Sequence, residues 1–308
     1  MENNNDTGER KGLKNINWNK LAIILILLGV GMLAIGRLSG SRGGMIAFEN
    51  GRLRVLQDEQ SDFTPLPRSR EITHIAVNAT YANIIIETTP PGETDGIHFT
   101  NISPEYFDVS DGKITIDSRP VGRRWVLFQL SPGRREIRIN LPPGTEIWEI
   151  ETRTVSGGIR FYNLQAREVV AVATSGSVRS ENSDFGNTYL RSTSGAVNLS
   201  GFTWENLQAQ STSGSVRISD GEIRSATGAT GAAGVAGVAG ETRLQSTSGS
   251  VNMELRGTAE DFRYDLSSTS GTVRVNGERR GRSAASFTGD HLITMRAVSG
   301  GVRLDFNE

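Results

Sequence analysis

A four-residue phrase, Ser-Gly-x-Val or Ser-Gly-x-Ile, recurs seven times in the second half of the chain and constrains its fold more than any other feature. It begins as Ser156-Gly157-Gly158-Ile159, Ser175-Gly176-Ser177-Val178, Ser194-Gly195-Ala196-Val197 and Ser213-Gly214-Ser215-Val216. It continues as Ser248-Gly249-Ser250-Val251, Ser270-Gly271-Thr272-Val273 and Ser299-Gly300-Gly301-Val302. The glycines are separated by 19, 19, 19, 35, 22 and 29 residues. Equal steps followed by longer ones mark structural repeats carrying loop insertions.

Aligned on the glycine, the repeats alternate. Two residues on stand Ile159, Val178, Val197, Val216, Val251, Val273 and Val302; four residues on stand Phe161, Ser180, Leu199, Ile218, Met253, Val275 and Leu304. The residue between them is Arg or Asn in every repeat. Five residues before the glycine stand Thr152, Ala171, Leu190, Ala209, Leu244, Leu266 and Met295. Period-two alternation is that of a half-buried strand. Each repeat therefore reads as two short strands joined at a Ser-Gly corner. Glycine suits a corner that needs positive φ, and serine can bond local backbone there. One repeat cannot bury its own apolar stripe, but repeats stacked about 4.8 Å apart join their stripes into a continuous core. The expected fold is all-β, a β-solenoid with rungs of about 19–22 residues. A β-sandwich is the alternative, and in-register identity at core positions favours the solenoid.

Less regular rungs precede the repeats. Ile72–Val77, Asn83–Glu87, Asp111–Ile116 and Glu136–Leu141 read as strands, so residues 71–150 are expected to form divergent N-terminal rungs ahead of the Ser-Gly rungs of 151–308. Residues 39–70, with a Gly/Ser-rich start and Pro65-Leu66-Pro67, read as a stalk. The longest gap between glycines holds five Gly-x-y triplets at 228–242. Five triplets without proline cannot hold a collagen helix alone, so this reads as a low-complexity insert at a rung corner.

Near the N-terminus, residues 21–36 form an uncharged apolar run between Lys20 and Arg37, and Leu38 extends it. At 1.5 Å per residue sixteen residues cover about 24 Å, a little short of a ~30 Å hydrocarbon core. Lys20 and Arg37 can snorkel to the two interfaces. The run is apolar on all sides, unlike an interfacial helix. We expect a signal-anchor helix over 21–38, a cytoplasmic tail over 1–20 and the bulk of the chain outside, because Arg10, Lys11, Lys14 and Lys20 precede the run. The alternative is secretion after cleavage near Ala34-Ile35-Gly36.

Composition closes off several chemistries. The chain has no Cys, so disulfides, thiolate metal sites, Cys nucleophiles and lipidated cysteine are excluded. A net charge of −1 supplies no field for nucleic acid. The three histidines, His74, His98 and His291, lack metal-ligand spacing and read as surface residues. No cofactor-binding motif is present, and the Ser-Gly pairs are corners rather than nucleophile elbows. Glu181, Asp184, Glu205, Asp220 and Glu222 fall between successive rungs, with Phe185, Tyr189, Phe202 and Trp204 nearby as candidate sugar-stacking rings. A glycosidase needs two convergent carboxylates, and no acid pair repeats on a shared face, so no enzyme is expected.

The sharpest functional feature is a column of arginines. Arg160, Arg179, Arg217, Arg274 and Arg303 share the outward position three residues after the corner glycine, interrupted by Asn198 and Asn252. Arg153, Arg191 and Arg296 recur four residues before it. A planar guanidinium suits phosphate and carboxylate, so the column is a candidate binding site for an anionic wall polymer or acidic surface glycan. The competing reading is a solvated face whose arginines pair with nearby acids and discourage aggregation.

Taken with the apolar run and the phrase Glu136-Ile-Arg-Ile-Asn-Leu-Pro-Pro-Gly144, the Ser-Gly ladder over residues 71–308 resembles the bacterial putative-adhesin β-strand-repeat family, a domain of unknown function. The resemblance implies a membrane-tethered or secreted β-solenoid with no shared catalytic residues. It implies a role in surface or envelope interaction, with an accessory or sensory subunit of an envelope-stress system, working with other membrane proteins, as the first alternative. A polysaccharide-acting enzyme is the second. The collagen-like insert departs from the family pattern.

Overall fold

The computed structural model describes residues 61–66, 71–90, 94–102, 104, 106–118, 135–224 and 240–307, together with the backbone of strands at 44–49, 52–57 and 125–129. The expected tail (1–20), membrane span (21–38) and most of the Gly-x-y insert (through 239) lie outside the described residues. Among the described residues every regular element is a strand, and no helix is long and apolar enough to cross a membrane.

The chain divides into two compact units. The smaller takes Met1–Asp58 and Trp125–Gly133 and contains a three-stranded antiparallel sheet in the order Arg52–Gln57, Gly44–Glu49, Trp125–Gln129. The larger takes Glu59–Arg124 and Arg134–Glu308. This corrects two expected boundaries. The stretch read as a stalk holds three strands, and the last of them, Ser61–Pro65, pairs with Gly96–Thr100 inside the larger unit. Trp125–Gln129, expected among the divergent rungs, pairs with Gly44–Glu49 instead.

Within the larger unit the repeats stack in parallel. One run of strands ascends through His74–Ala79, Glu146–Thr154, Gln165–Ala173, Asp184–Ser192, the second part of Val197–Ser211 and then Glu241–Ser246. A second run ascends beside it through Asn83–Thr88, Ile159–Tyr162, Val178–Glu181, the first part of Val197–Ser211, Val216–Ile223 and Val251–Arg256. The 19-residue offsets of the sequence become strict register: Val178 lies beside Val197, and Val197 beside Val216. Inward residues of both runs share one core, in which Ile159, Val178, Val197, Val216, Val251 and Val302 are at most 1% exposed.

The stack does not follow sequence order at its ends. The last two strands, His291–Ala297 and Val302–Asn307, insert between the rung of Glu241–Arg256 and the rung of Phe262–Val275. At the other end Lys113–Ser118 and Glu136–Leu141 add outside His74–Ala79 and Asn83–Thr88 rather than inside them. Both terminal rungs are closed by antiparallel strands: Tyr106–Ser110 and Gly96–Thr100 at one end, Glu278–Gly281 and Ser283–Ser286 at the other. The C-terminal strand is thus paired on both edges, which removes an open template for further chain addition.

The corner glycines are required for a different reason from the one expected. The left-handed glycines are Gly112, Gly144, Gly201, Gly257, Gly277, Gly281 and Gly289; none of the seven corner glycines is among them. Instead, six of the seven corner glycines stand over the carbonyl of the corner glycine below, and Gly157 stands over that of Ala82. A Cβ on Gly176 would meet the Gly157 oxygen at 1.8 Å, and one on Gly195 would meet the Gly176 oxygen at 2.2 Å. The same contact recurs from Gly214 to Gly195, from Gly249 to Gly214 and from Gly300 to Gly249. Close approach of stacked backbone, with no side chain between, fixes the rung step.

The corner is held by a hydroxyl three residues before the glycine, not by the serine beside it. Ser192 Oγ accepts from Gly195 N–H at 2.8 Å and donates to the Gly176 carbonyl at 2.7 Å. Thr154, Ser211, Ser246 and Ser268 make the equivalent bridge. Ala173 and Ala297 occupy that position in the other two repeats. The seven serines preceding the glycine are all exposed. A second corner lies six residues after the first, where Asn163, Asn182, Gly201 and Asp220 all adopt left-handed φ of 50–55°. Asn and Asp tolerate that region because their short polar side chains can bond locally.

Candidate functional site: an arginine column on the short-strand face

The position three residues past each corner glycine lies on a short strand, between two inward apolar residues, and faces out. Parallel register places these positions directly above one another. Arg160 lies beside Arg179, Arg179 beside Asn198, Asn198 beside Arg217 and Arg217 beside Asn252. Asn252 lies beside Arg303, Arg303 beside Arg274, and Arg274 beside Arg279 of the closing strand. All five arginines singled out in the sequence therefore share one column, in the spatial order 160, 179, 217, 303, 274.

Their partners decide what the column can do. Arg303 bonds Asp305, two residues along its own strand. Arg160, Arg179, Arg217 and Arg274 form no ion pair with any described residue. Acids do stand two residues further along, at Glu181 and Glu254, but neither closes an ion pair with the column. Like charges on adjacent rungs about 4.8 Å apart repel by roughly 0.9 kcal/mol in water. Asn198 and Asn252 space the middle of the column and relieve that repulsion. The result is one register column of five arginines, four of them without an ion-pair partner among the described residues.

The second arginine set makes no such row. Val172 separates Arg153 from Arg191, and Gln210 and Gln245 separate Arg191 from Arg296. Arg153 pairs with Glu151 at 2.8 Å and Arg296 with Asp265 at 3.6 Å.

The carboxylates weighed as catalytic acids are mostly engaged. Arg224 is shared by Asp184 and Glu205, and Arg256 bonds Asp220 at 2.8 Å and Glu222 at 3.3 Å. Asp220, Glu222 and Arg256 line a depression of about 380 Å³ along the second corner. An arginine stands between the two acids of each pair. Three of the four proposed stacking rings are core: Phe185, Phe202 and Trp204 are fully buried, continuing an aromatic row from Phe161. Tyr189 alone faces out, half-buried.

His291 is also not the surface residue expected. Its Nε2 bonds Thr242 Oγ1 at 2.8 Å, and the same oxygen accepts from Trp204 Nε1 at 2.8 Å. Burial holds the ring's pKa down to about 4, partly countered by Glu241. Thr242 is fully buried, and its hydroxyl links the Trp204 indole to the His291 ring. No sequence signal linked these three residues, because they come from three rungs far apart in the chain. Among the described residues no group of three His, Asp or Glu could hold a metal ion.

These features define an all-β repeat protein of stacked rungs with a cationic column on one face. The chain belongs to the Toastrack DUF4097 family, which matches residues 72–305. Among solved structures it is similar to a putative cell adhesion protein from Clostridium sporogenes, with 12% identity and a TM-score of 0.39 over 81% of this chain and 100% of that one. It is also similar to putative adhesins from Bacteroides fragilis (11% identity, TM-score 0.35, 80% of this chain and 96% of that one) and Parabacteroides merdae (11%, 0.32, 80% and 96%). No curated protein matches the chain.

Proposed function

We propose that this protein is a non-enzymatic, extracytoplasmic β-solenoid, tethered by residues 21–38, whose arginine column binds an anionic polymer of the cell envelope or a neighbouring surface. One observation carries the reading: Arg160, Arg179, Arg217 and Arg274 stand in one register column with no ion-pair partner among the described residues. A surface that only discourages aggregation works as well with paired charges. Here the acids that could neutralise the column leave it open, while Arg224 and Arg256 elsewhere are each shared by two carboxylates. A linear polyanion laid along the stack meets successive guanidinium forks, each suited to phosphate or carboxylate oxygens. Such contacts are exposed, so binding weakens steeply with salt.

The test is retention of the full-length protein on immobilised polyphosphate or polygalacturonate. Arg179→Ala with Arg217→Ala should elute at markedly lower salt than the parent. Unchanged elution of the double variant overturns the reading. The tether is checked separately: deleting residues 21–38 should move the protein from the membrane to the soluble fraction.

A further inference from the structure

The opposite, long-strand face differs in kind from the arginine column. On three consecutive rungs its outward positions include Tyr189, Gln208, Gln210 and Gln245. Tyr189 lies in register with Gln208, and Gln210 with Gln245. All four are half-buried. None of their polar side-chain ends makes a hydrogen bond with a described residue. One column away, the exposed Asn206 Nδ2 donates to Asn187 Oδ1 at 2.8 Å, so neighbouring rungs are close enough for carboxamides to bond one another. The three glutamines and the tyrosine hydroxyl therefore present donors and acceptors that no described residue occupies.

Charges around them are largely cancelled. Glu241 pairs with Arg243 at 2.8 Å and Asp265 with Arg296 at 3.6 Å. These two pairs line a depression of about 290 Å³ that also includes Gln245 and Thr294. Arg191 borders the patch beside Gln210 and adds planar donors. Planar amides and guanidinium–carboxylate pairs match the paired donor and acceptor hydroxyls of a sugar ring, and an aromatic ring covers its apolar C–H face. Apart from Arg191 the nearby charges are paired, so this face offers an anionic ligand less advantage than the arginine column does.

We propose that this face is a second binding site, for a neutral polysaccharide, independent of the arginine column. The polymer lies across the rungs, with its hydroxyls bonded by Gln208, Gln210 and Gln245 and one ring against Tyr189. The two faces then read different polymers by different physics: the first by charge and the second by hydroxyl pattern.

The experiment is affinity electrophoresis and pull-down of the full-length protein with amorphous cellulose, chitin, soluble β-glucan and mannan. At least one should retain the protein, and retention should persist at about 0.5 M NaCl, where exposed charge contacts are screened. Gln208→Ala with Gln210→Ala, and separately Tyr189→Ala, should weaken it about tenfold or more. Gln208→Glu, which keeps the side-chain shape, guards against loss through misfolding and should weaken it as well. Arg179→Ala with Arg217→Ala should leave it unchanged while lowering the salt at which polyanion retention is lost. The proposal is overturned if no neutral polymer retains the protein, if salt removes the retention, or if the long-strand variants bind like the parent.

Discussion

The glycine column allows a sharp test, because the substitution Gly195→Ala has opposite expected signs under two accounts of the corner. Gly195 does not lie in the left-handed region, so alanine incurs no dihedral penalty there. With only unfolded-state entropy in play, Gly→Ala would stabilise by about 0.4–1 kcal/mol. The stack predicts the reverse. The added Cβ would stand 2.2 Å from the Gly176 oxygen, 2.4 Å from its carbonyl carbon and 2.7 Å from Ser177 N, all of them backbone atoms. Ordinary contact begins near 3.4 Å, so two rungs must separate locally by about 1 Å. That opening strains the Ser192 bridge to Gly195 and Gly176 and the bond from Val178 N–H to the Ala196 carbonyl. Two or three weakened hydrogen bonds at about 1 kcal/mol each, added to overpacking of about 1–3 kcal/mol, give a loss of roughly 3–6 kcal/mol. The assay is equilibrium urea unfolding followed by fluorescence, with Trp204 buried in the core as reporter. Ser194→Ala, one residue away but exposed, should lie within about 0.5 kcal/mol of the parent. A Gly195→Ala protein as stable as the parent, with unchanged circular dichroism, refutes the claim that backbone contact sets the rung step.

Three further outcomes follow from the same geometry. Ala173→Ser should supply the missing hydroxyl bridge between Gly176 N–H and the Gly157 carbonyl and stabilise by about 0.5–1.5 kcal/mol, read as a higher urea midpoint. Ser180 is fully buried with its Oγ unbonded, so Ser180→Ala should be stabilising by about 1 kcal/mol rather than neutral in the same assay. His291 is neutral in the fold, with a pKa of about 4 against 6.5 for the free side chain, so its contribution is complete above pH 6.5 and is lost as pH falls from 6.5 to 4. Solvent screening of the half-buried ring reduces the loss to on the order of 1–2 kcal/mol, and His291→Gln should flatten that part of the stability–pH curve.

What could be read from the sequence was whatever repeats in register. The 19-residue step, the inward Val ladder and the outward Arg positions are periodic, and periodicity survives without coordinates. The rung order does not, because the motif at Ser299 is as good a repeat as the one at Ser270. Only the pairing of Val302 with both Val251 and Val273 places the last rung between the other two. The role of the corner glycine was misassigned for a related reason. Positive φ and close backbone approach both call for glycine, and a single sequence does not separate them. The bridging hydroxyl was overlooked because Thr, Ser and Ala share its position, whereas the exposed Ser beside the glycine is invariant and draws attention without making the bond. The Trp204–Thr242–His291 chain has no periodic signature at all.

The corner contact also bears on function. A side chain between stacked corners would lengthen the step and let rungs slide, as larger residues do wherever backbone approach sets a spacing. Glycine removes that freedom, and the bridging hydroxyls tie five of the seven repeats to the rung below. Outward residues on both faces therefore inherit one fixed step of about 4.8 Å. A polymer bound as proposed would find successive contacts at multiples of that step without ordering any loop, so little entropy would be lost beyond that of the polymer itself. On the proposed reading each contact could be weak, because affinity would come from the number of rungs engaged. Single substitutions on either face should thus lower affinity in modest steps, and a substitution at the corner, by disturbing the step, should weaken both faces together.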